Sequence, residues 1–146
     1  MVWSLQPAMG KLVDQMVTAA YQRSILPAAE REVARMRIAQ LNSCNACATF
    51  RAPSVREAGV SEDQYEHLGD YRTYAGYTAR QRLAIEYAER FAEDHQGIDD
   101  ELVARLREAF SDAEVLDLTM CCATFLGLGR ALAVIGVRAP DERILV

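Results

Sequence analysis

The chain has 146 residues, of which 51% are hydrophobic, and this size is typical of a single domain that buries a core without cross-links. Its formal net charge of −5 excludes the basic footprint on which binding to a phosphate backbone depends. We therefore expect one domain over residues 1–146 and no nucleic-acid partner.

The N-terminal segment favours a cytoplasmic protein. Residues 1–7 contain neither the basic region nor the continuous apolar run of a secretory signal. Thiols are kept reduced in the cytoplasm, and the chain has four cysteines. Redox chemistry, metal binding or burial is therefore expected for these cysteines, rather than a framework of structural disulfides.

Apolar residues at helical spacing predict helices along the whole chain. The predicted helices span residues 8–23, 28–41, 44–58 and 99–110, and three others begin at the capping-box sequences of Ser61, Thr78 and Ser111. Pro53 predicts a kink or an end near Ala52 within the third helix. No segment has the period-two alternation of a half-buried strand. The predicted fold is all-α, a compact bundle of about six to seven helices.

The last predicted helix is apolar almost all round. Between Leu118 and Val137 only Arg130 carries a charge, which predicts a buried helix. A membrane span needs about 20 apolar residues, and Arg130 together with Gly127 and Gly129 argues against one. A helix that is covered on all sides in so short a chain favours packing between subunits, so we expect a homo-oligomer and no membrane partner.

Cys44 and Cys47 are the strongest candidates for chemistry. They lie three residues apart at a predicted helix start, so both thiols are in the first turn and their sulfurs can meet. The free amide groups and the positive end of the helix dipole favour a thiolate there. We therefore predict a redox-active pair that needs no other cofactor.

Two other interpretations of the pair stay open. A zinc site would need two further ligands, and the remaining candidates are Cys121, Cys122, His67 and His95. Alternatively, the two thiols are buried and inert, as free cysteines often are. Cys121 and Cys122 lie in the apolar last helix, where we expect core thiols.

Charged residues around the pair predict an electrostatic role. If the chain turns just before Cys44, Glu32 and Arg51 lie at similar depth on two antiparallel helices, and we expect an ion pair between them. Arg51 is also four residues beyond Cys47, where its charge would stabilise a thiolate on the same helix face. Solvated side chains are the alternative. On the second helix, Glu30, Arg31 and Arg35 are expected to face solvent.

The segment of residues 31–47 resembles the core motif of the alkylhydroperoxidase D and carboxymuconolactone decarboxylase superfamily. The similarity lies in Glu32 before an apolar run, in Asn42 before the pair, and in the pair itself. The helix opened by residues 78–81 and the segment 111–137 match the family's order of elements, so the resemblance covers most of the chain.

This resemblance implies an all-α protein that assembles as a trimer or hexamer. In the alkylhydroperoxidase branch the cysteine pair reduces peroxides, which implies that Cys47 is the peroxidatic cysteine and Cys44 the resolving cysteine. Glu32 would then belong to a proton relay. The decarboxylase branch generally lacks the paired cysteines, so their presence favours the redox branch.

Two positions depart from the family pattern. The relay usually has a histidine four residues after the second cysteine and often another between the cysteines, and here these positions are Arg51 and Ala46. Arginine stays protonated and cannot pass a proton on, so it would act on a thiolate only through its charge. A thiolate still attacks a disulfide without a relay.

We therefore predict a thiol-dependent antioxidant enzyme of the peroxiredoxin type, acting as a peroxidase or a disulfide reductase. Its predicted catalytic residues are Cys47, Cys44, Glu32 and Arg51. The expected partners are a peroxide or small disulfide as substrate and a thiol protein as reductant. One alternative is a decarboxylase-like lyase in which Glu32 and Arg51 bind a carboxylated substrate, and another is a non-catalytic helical oligomer.

Overall fold

The computed structural model describes residues 2–137, and within that range it contains helices and no strand. The α-helices are α1 (Pro7–Gln22), α2 (Ala28–Leu41), α3 (Asn45–Thr49), α4 (Pro53–Glu57), α5 (Glu62–Glu66), α6 (Ala79–Glu93), α7 (Asp100–Ala109) and α8 (Asp112–Val134). Two short 3-10 helices, Val2–Leu5 and His95–Gly97, complete the described part. The all-α prediction is confirmed, and residue 1 and residues 138–146 of the predicted domain lie outside the described residues.

Local sequence signals set most of the helix starts. The side chains of Ser61, Thr78 and Ser111 each accept a hydrogen bond from the backbone three residues on, and each capping box is complete. The predicted third helix is instead two short helices, α3 and α4. Ala52 takes an extended backbone with ψ 145°, because the ring of Pro53 disfavours the helical conformation in the preceding residue.

Helix α2 lies at the centre of the fold. It packs mainly against α6 and α8, and α3, α4 and α5 contact it as well. Its apolar side chains Val33, Met36 and Ile38 belong to the main core. Neighbours on so many sides leave little of α2 open to solvent. The prediction that Arg31 and Arg35 face solvent is therefore wrong, since each is only 3% exposed.

Within one chain, helix α8 is covered on one face only, so the predicted burial on all sides would require a further subunit on the other face. Leu118, Cys121 and Cys122 are buried, whereas Leu116 is 63% and Met120 51% exposed. The helix is long and apolar enough to cross a membrane by length and composition alone, a test that core helices of soluble proteins also pass. Its buried face packs against α1, α2, α6 and α7.

Candidate functional site

The turn between α2 and α3 places the cysteine pair. Asn42 ends α2, Ser43 takes a left-handed backbone with φ +51°, and Cys44 is the N-cap residue of α3. The amide of Asn42 donates to the main-chain oxygens of Phe125 and Leu126 in α8, at 3.3 and 3.2 Å. This side chain therefore fastens the turn before the pair to α8.

Cys44 and Cys47 are joined by a disulfide bond, with their Cα atoms 5.3 Å apart. The Cys44 sulfur also accepts the backbone N–H of Cys47 at 3.3 Å, which makes it the cap of α3. Cys44 is 2% exposed, whereas Cys47 is half-buried. Of the two sulfurs, that of Cys47 is therefore the better placed to meet another molecule.

Cys47 lines an apolar cavity of about 140 Å³ between α1, α2 and α8. Val13 and Val17 form the wall on α1, and Phe125 and Leu128 form the wall on α8. Among residues 2–137, Arg35 contributes the one charged side chain to the lining. The cavity therefore presents a sulfur and a guanidinium group to an otherwise apolar space.

Helix α8 approaches the pair most closely at Gly129. A β-carbon placed on this glycine would lie 2.6 Å from Nδ2 of Asn42 and 3.6 Å from Sγ of Cys47. The first of these separations is shorter than any real contact of a β-carbon. Glycine therefore lets α8 approach the turn without displacing the Asn42 amide, in agreement with the close packing expected of small residues here.

Glu32 is fully buried and forms its ion pair with Arg35. The guanidinium group of Arg35 donates from Nε to Oε2 of Glu32 at 2.8 Å and from Nη2 to Oε1 at 2.6 Å. The hydroxyl of Tyr65 donates to the same Oε1 at 3.0 Å. The carboxylate is therefore held by two side chains from α2 and α5, in the manner that a buried charge requires.

The predicted ion pair between Glu32 and Arg51 is wrong. Arg51 pairs with Glu62 through its Nη2, at 3.2 Å, and its guanidinium group lies 3.8 Å from the centre of the Tyr65 ring. It is not on the helix of Cys47, because α3 ends at Thr49 and the backbone of Phe50 is extended. The predicted face shared by Cys47 and Arg51 depended on a longer helix than the chain forms.

Arg35 takes the place beside the pair that was expected for Arg51. Its Nη1 donates to the main-chain oxygen of Cys47 at 2.7 Å, and its Nη2 donates to that of Phe50 at 3.0 Å. Sequence reasoning missed Arg35 and Tyr65 as site residues. The i,i+3 spacing of Glu32 and Arg35 was the signal that could have revealed the first of them.

Burial and charge shift the titration of several site groups. Burial raises the pKa of Tyr65, and the charge of Glu32 raises it further. Burial opposes the charge of Arg35, but its hydrogen bonds with Glu32 raise its pKa above the ordinary value. Burial, with the charge of Asp117, raises the pKa of Cys121 to about 12. Cys121 and Cys122 are free, buried thiols, in line with the core role expected for them.

No group of three His, Cys, Asp or Glu side chains within the described range is arranged to hold a metal ion. His67 instead pairs with Asp70 at 3.0 Å and stacks on the ring of Tyr74. The candidate site therefore consists of the two sulfurs, the apolar cavity and the buried ion pair of Glu32 and Arg35.

Curated relatives of this chain are bacterial proteins without an assigned function. It is 32% identical over 98 residues to the uncharacterized protein YnjA of Escherichia coli, a match that covers 67% of this chain and 54% of YnjA. It is 24% identical over 113 residues to the uncharacterized protein YdfG of Bacillus subtilis, with 77% of each chain covered. The chain thus spans about half the length of YnjA.

Solved structures share the fold over nearly the whole chain. One is a protein of unknown function from Agrobacterium tumefaciens, suggested to be the antioxidant defence protein AhpD, with a TM-score of 0.85, 21% identity and 97% of both chains covered. Another is an uncharacterized peroxidase-related protein from Ralstonia eutropha with an alkylhydroperoxidase AhpD core. Its TM-score is 0.82 at 20% identity, and 97% of this chain and 76% of that one are covered.

The sequence model of the carboxymuconolactone decarboxylase family matches residues 7–90. That range contains α1 to α5, the cysteine pair and the whole of the Glu32, Arg35 and Tyr65 network. It also contains most of α6. The chain therefore belongs to the carboxymuconolactone decarboxylase family and has the AhpD-like fold, as the motif before the cysteine pair predicted.

Proposed function

We propose that this protein is a thiol-dependent oxidoreductase that cycles Cys44 and Cys47 between dithiol and disulfide. The observation that carries the proposal is the position of the pair: the two sulfurs are within bonding distance, and Cys47 lines a cavity that a small molecule can enter. The antioxidant and peroxidase-related descriptions of the structural neighbours are consistent with this function.

The half-buried position of Cys47 supports its role as the attacking sulfur. With a hydroperoxide, the Cys47 thiolate would attack one peroxide oxygen, the O–O bond would break, and the leaving oxygen would take a proton to become an alcohol. Cys47 is then a sulfenic acid. The buried Cys44 thiol would attack it, release water and close the disulfide.

A reductant must then return the pair to the dithiol. A dithiol protein would attack the disulfide through its thiolate, form a mixed disulfide, and leave with its own two sulfurs oxidised. The same exchange in the other direction would let the dithiol form reduce a small disulfide. We propose the cytoplasm as the location, where such reductants keep thiols reduced.

We also propose that Glu32 and Arg51 take part in this chemistry, each through its own contacts. Glu32 lies one side chain away from the Cys47 backbone, through Arg35. Arg51 contacts Tyr65, which in turn donates to Glu32. Both residues therefore belong to one connected network that ends at the cysteine pair.

Mass spectrometry of two tryptic peptides tests the proposal. Residues 38–51 carry Cys44 and Cys47, and residues 108–130 carry Cys121 and Cys122. We expect one equivalent of hydroperoxide, or of a small disulfide, to oxidise the first peptide and to leave the second reduced. Cys121 serves as the internal control, because burial raises its pKa to about 12.

Cys47→Ser and Cys44→Ser variants separate the two roles. We expect Cys47→Ser to lose peroxide consumption, and Cys44→Ser to stop at a sulfenic acid that a sulfenic-acid reagent traps. If hydroperoxide and disulfide both leave the 38–51 peptide of the parent protein fully reduced, the oxidoreductase proposal fails.

A further inference from the structure

Three charged side chains of α2 are buried together, and we name them the α2 charge cluster: Arg31, Glu32 and Arg35. Their exposed fractions are 3%, 0% and 3%. Two guanidinium groups and one carboxylate leave an excess of one positive charge. A buried charge is costly unless another charge or hydrogen bonds compensate it.

Arg31 carries the uncompensated part of this charge. Its Nε and Nη2 atoms are buried and have no hydrogen-bond partner among residues 2–137. Its guanidinium group lies 5.5 Å from the centre of the Tyr21 ring, and Tyr21 lines the cavity beside Cys47. The cluster therefore favours a further negative charge on the side of α2 that faces the cavity.

Arg35 connects the α2 charge cluster to Cys47. Two of its hydrogen bonds go to Glu32, and two others go to the main-chain oxygens of Cys47 and Phe50 at the end of α3. Arg35 and Cys47 also line the same cavity. The guanidinium group thus holds α3 against α2 and places a positive charge next to the half-buried cysteine.

Within residues 2–137, three titratable side chains lie beside Cys47. Cys44 is bonded to it at the N-cap of α3, and Tyr21 from α1 and Arg35 from α2 line the same cavity. Glu32 reaches this side of α2 only through Arg35. Helix α8 contributes Phe125, Leu128, Gly129 and Leu132, none of which carries a charge. Burial raises the pKa of Tyr21 to about 12, so this phenol stays neutral at physiological pH.

We infer that Arg35 is the positioning residue of Cys47 and that the excess charge of the α2 charge cluster stabilises the Cys47 thiolate. The inference rests on the proposed function. When a dithiol reductant gives two electrons and one proton to the disulfide, Cys44 becomes a thiol, Cys47 becomes a thiolate, and the reductant's second proton goes to solvent. The thiolate then supplies the negative charge that the cluster favours.

This inference assigns to Arg35 the electrostatic role that the sequence pattern had suggested for Arg51. Arg51 donates from Nη1 to the main-chain oxygen of Ala48 at 2.6 Å, and its charge is paired with Glu62, whose side chain is 73% exposed, and lies over the Tyr65 ring. Arg35 is buried, and screening by water and salt is weaker for a buried charge. A buried guanidinium group therefore acts on the neighbouring sulfur more strongly than a half-buried one whose charge is paired with an exposed carboxylate.

The pH dependence of alkylation tests the inference. In the Cys44→Ser protein, whose serine still offers an oxygen to cap α3, the rate of reaction with iodoacetamide reports the apparent pKa of Cys47. The variants are Arg35→Met, Arg35→Lys and Arg31→Met. The matched control is Arg37→Met, because Arg37 also lies on α2 but pairs with Glu89 at 2.6 Å.

We expect Arg35→Met to raise the apparent pKa of Cys47 by at least about one unit, a tenfold loss of thiolate at pH values well below that pKa. Arg35→Lys should restore most of the shift, since it keeps the charge, and Arg37→Met should leave it unchanged. Arg31→Met removes the excess charge while the ion pair of Glu32 and Arg35 stays intact, so it should also raise the pKa of Cys47. This variant keeps the test valid if Arg35→Met does not fold.

An unchanged pKa in the folded Arg31→Met variant, or an equal shift with Arg37→Met, would overturn the inference. Its failure is distinct from failure of the proposed function. Alkylation needs no peroxide, so a parent protein whose 38–51 peptide resists oxidation refutes the oxidoreductase proposal while leaving the effect of Arg35 on the pKa measurable.

Discussion

Arg35 and Glu32 form a buried ion pair in which one guanidinium edge meets one carboxylate, at N–O distances of 2.6 and 2.8 Å. The two residues are three positions apart on α2, so the helix itself brings them together. The remaining donors of Arg35 reach the main chain of α3. The Arg35 side chain thereby links Glu32 to the cysteine pair.

Replacing Arg51 by histidine is expected to raise peroxide turnover by about tenfold or more, because it would add a titratable group to the network of Tyr65 and Glu32 that leads to Cys47, and an acid or base in a relay typically contributes roughly 10²–10⁴-fold. Histidine has a titratable nitrogen where arginine has a permanent charge. Stopped-flow peroxide consumption measures the change. Glu62→Gln is the control, because it removes the partner of Arg51 without adding a titratable group, and an equal rise in that variant would contradict the relay explanation.

Replacing Ser43 by glycine is expected to stabilise the fold. Ser43 has φ +51°, a left-handed conformation that costs an L-residue about 1–2 kcal/mol. Glycine removes this cost but loses more chain entropy on folding, so the net gain is about 0.5–1 kcal/mol. For a domain of this size, this gain raises the midpoint temperature of unfolding by roughly 1–4 °C. Differential scanning calorimetry with Cys44 and Cys47 reduced measures this temperature. A lower midpoint temperature for Ser43→Gly would contradict the left-handed backbone of Ser43.

Replacing Gly129 by alanine is expected to destabilise the site. The new methyl group would push on the Asn42 amide that fastens the turn to α8, at a cost of about 1–3 kcal/mol. Gly127→Ala is the matched control, since nothing lies within 4 Å of a β-carbon there and alanine favours a helix by up to about 1 kcal/mol. In urea unfolding, the free energy of unfolding should fall for Gly129→Ala and rise for Gly127→Ala. A change of the same sign in both variants would show that α8 adjusts freely to the added methyl group.

Acid is expected to remove a stabilising contribution from Glu114. A backbone hydrogen bond from Ser111 and a side-chain hydrogen bond from Arg80 lower its pKa from 4.5 to about 2. The unfolded chain therefore takes up the proton first on acidification. The contribution is complete above about pH 4.5 and is lost as the pH falls toward 2. Between these pH values the free energy of unfolding should depend less on pH for Glu114→Gln than for the parent protein. The exposed control Glu108→Gln should show the pH dependence of the parent.

Self-association, expected from the family resemblance, can be tested on the open face of α8. Leu116 and Met120 are 63% and 51% exposed, and contact with a second copy of this chain would cover them. We expect light scattering after gel filtration to show a trimer or hexamer, and Met120→Glu to shift it toward the monomer. Glu57→Ala, at an exposed position of α4, should leave the oligomeric state unchanged. A monomeric parent protein would refute this prediction.

The sequence alone determined the helical class and the family. Spacing of apolar residues predicted α2 with its observed bounds, and the capping boxes at Ser61, Thr78 and Ser111 form as predicted, because these signals act within a few residues. The effect of Pro53 on Ala52 is local in the same way. The glutamate and the cysteine pair identified the superfamily that the family match and the fold support.

The tertiary structure decided which charges meet. Arg31 and Arg35 were expected at the surface, and they are buried because helices α6, α8 and α3 cover α2 on several sides, which no property of α2 by itself reveals. Arg51 left the helix face of Cys47 because α3 ended early. Spacing along a helix determines which side chains share a face, but the partners of that face depend on elements that are distant in sequence. The cavity beside Cys47, which α1 and α8 enclose, exists only once those elements have packed.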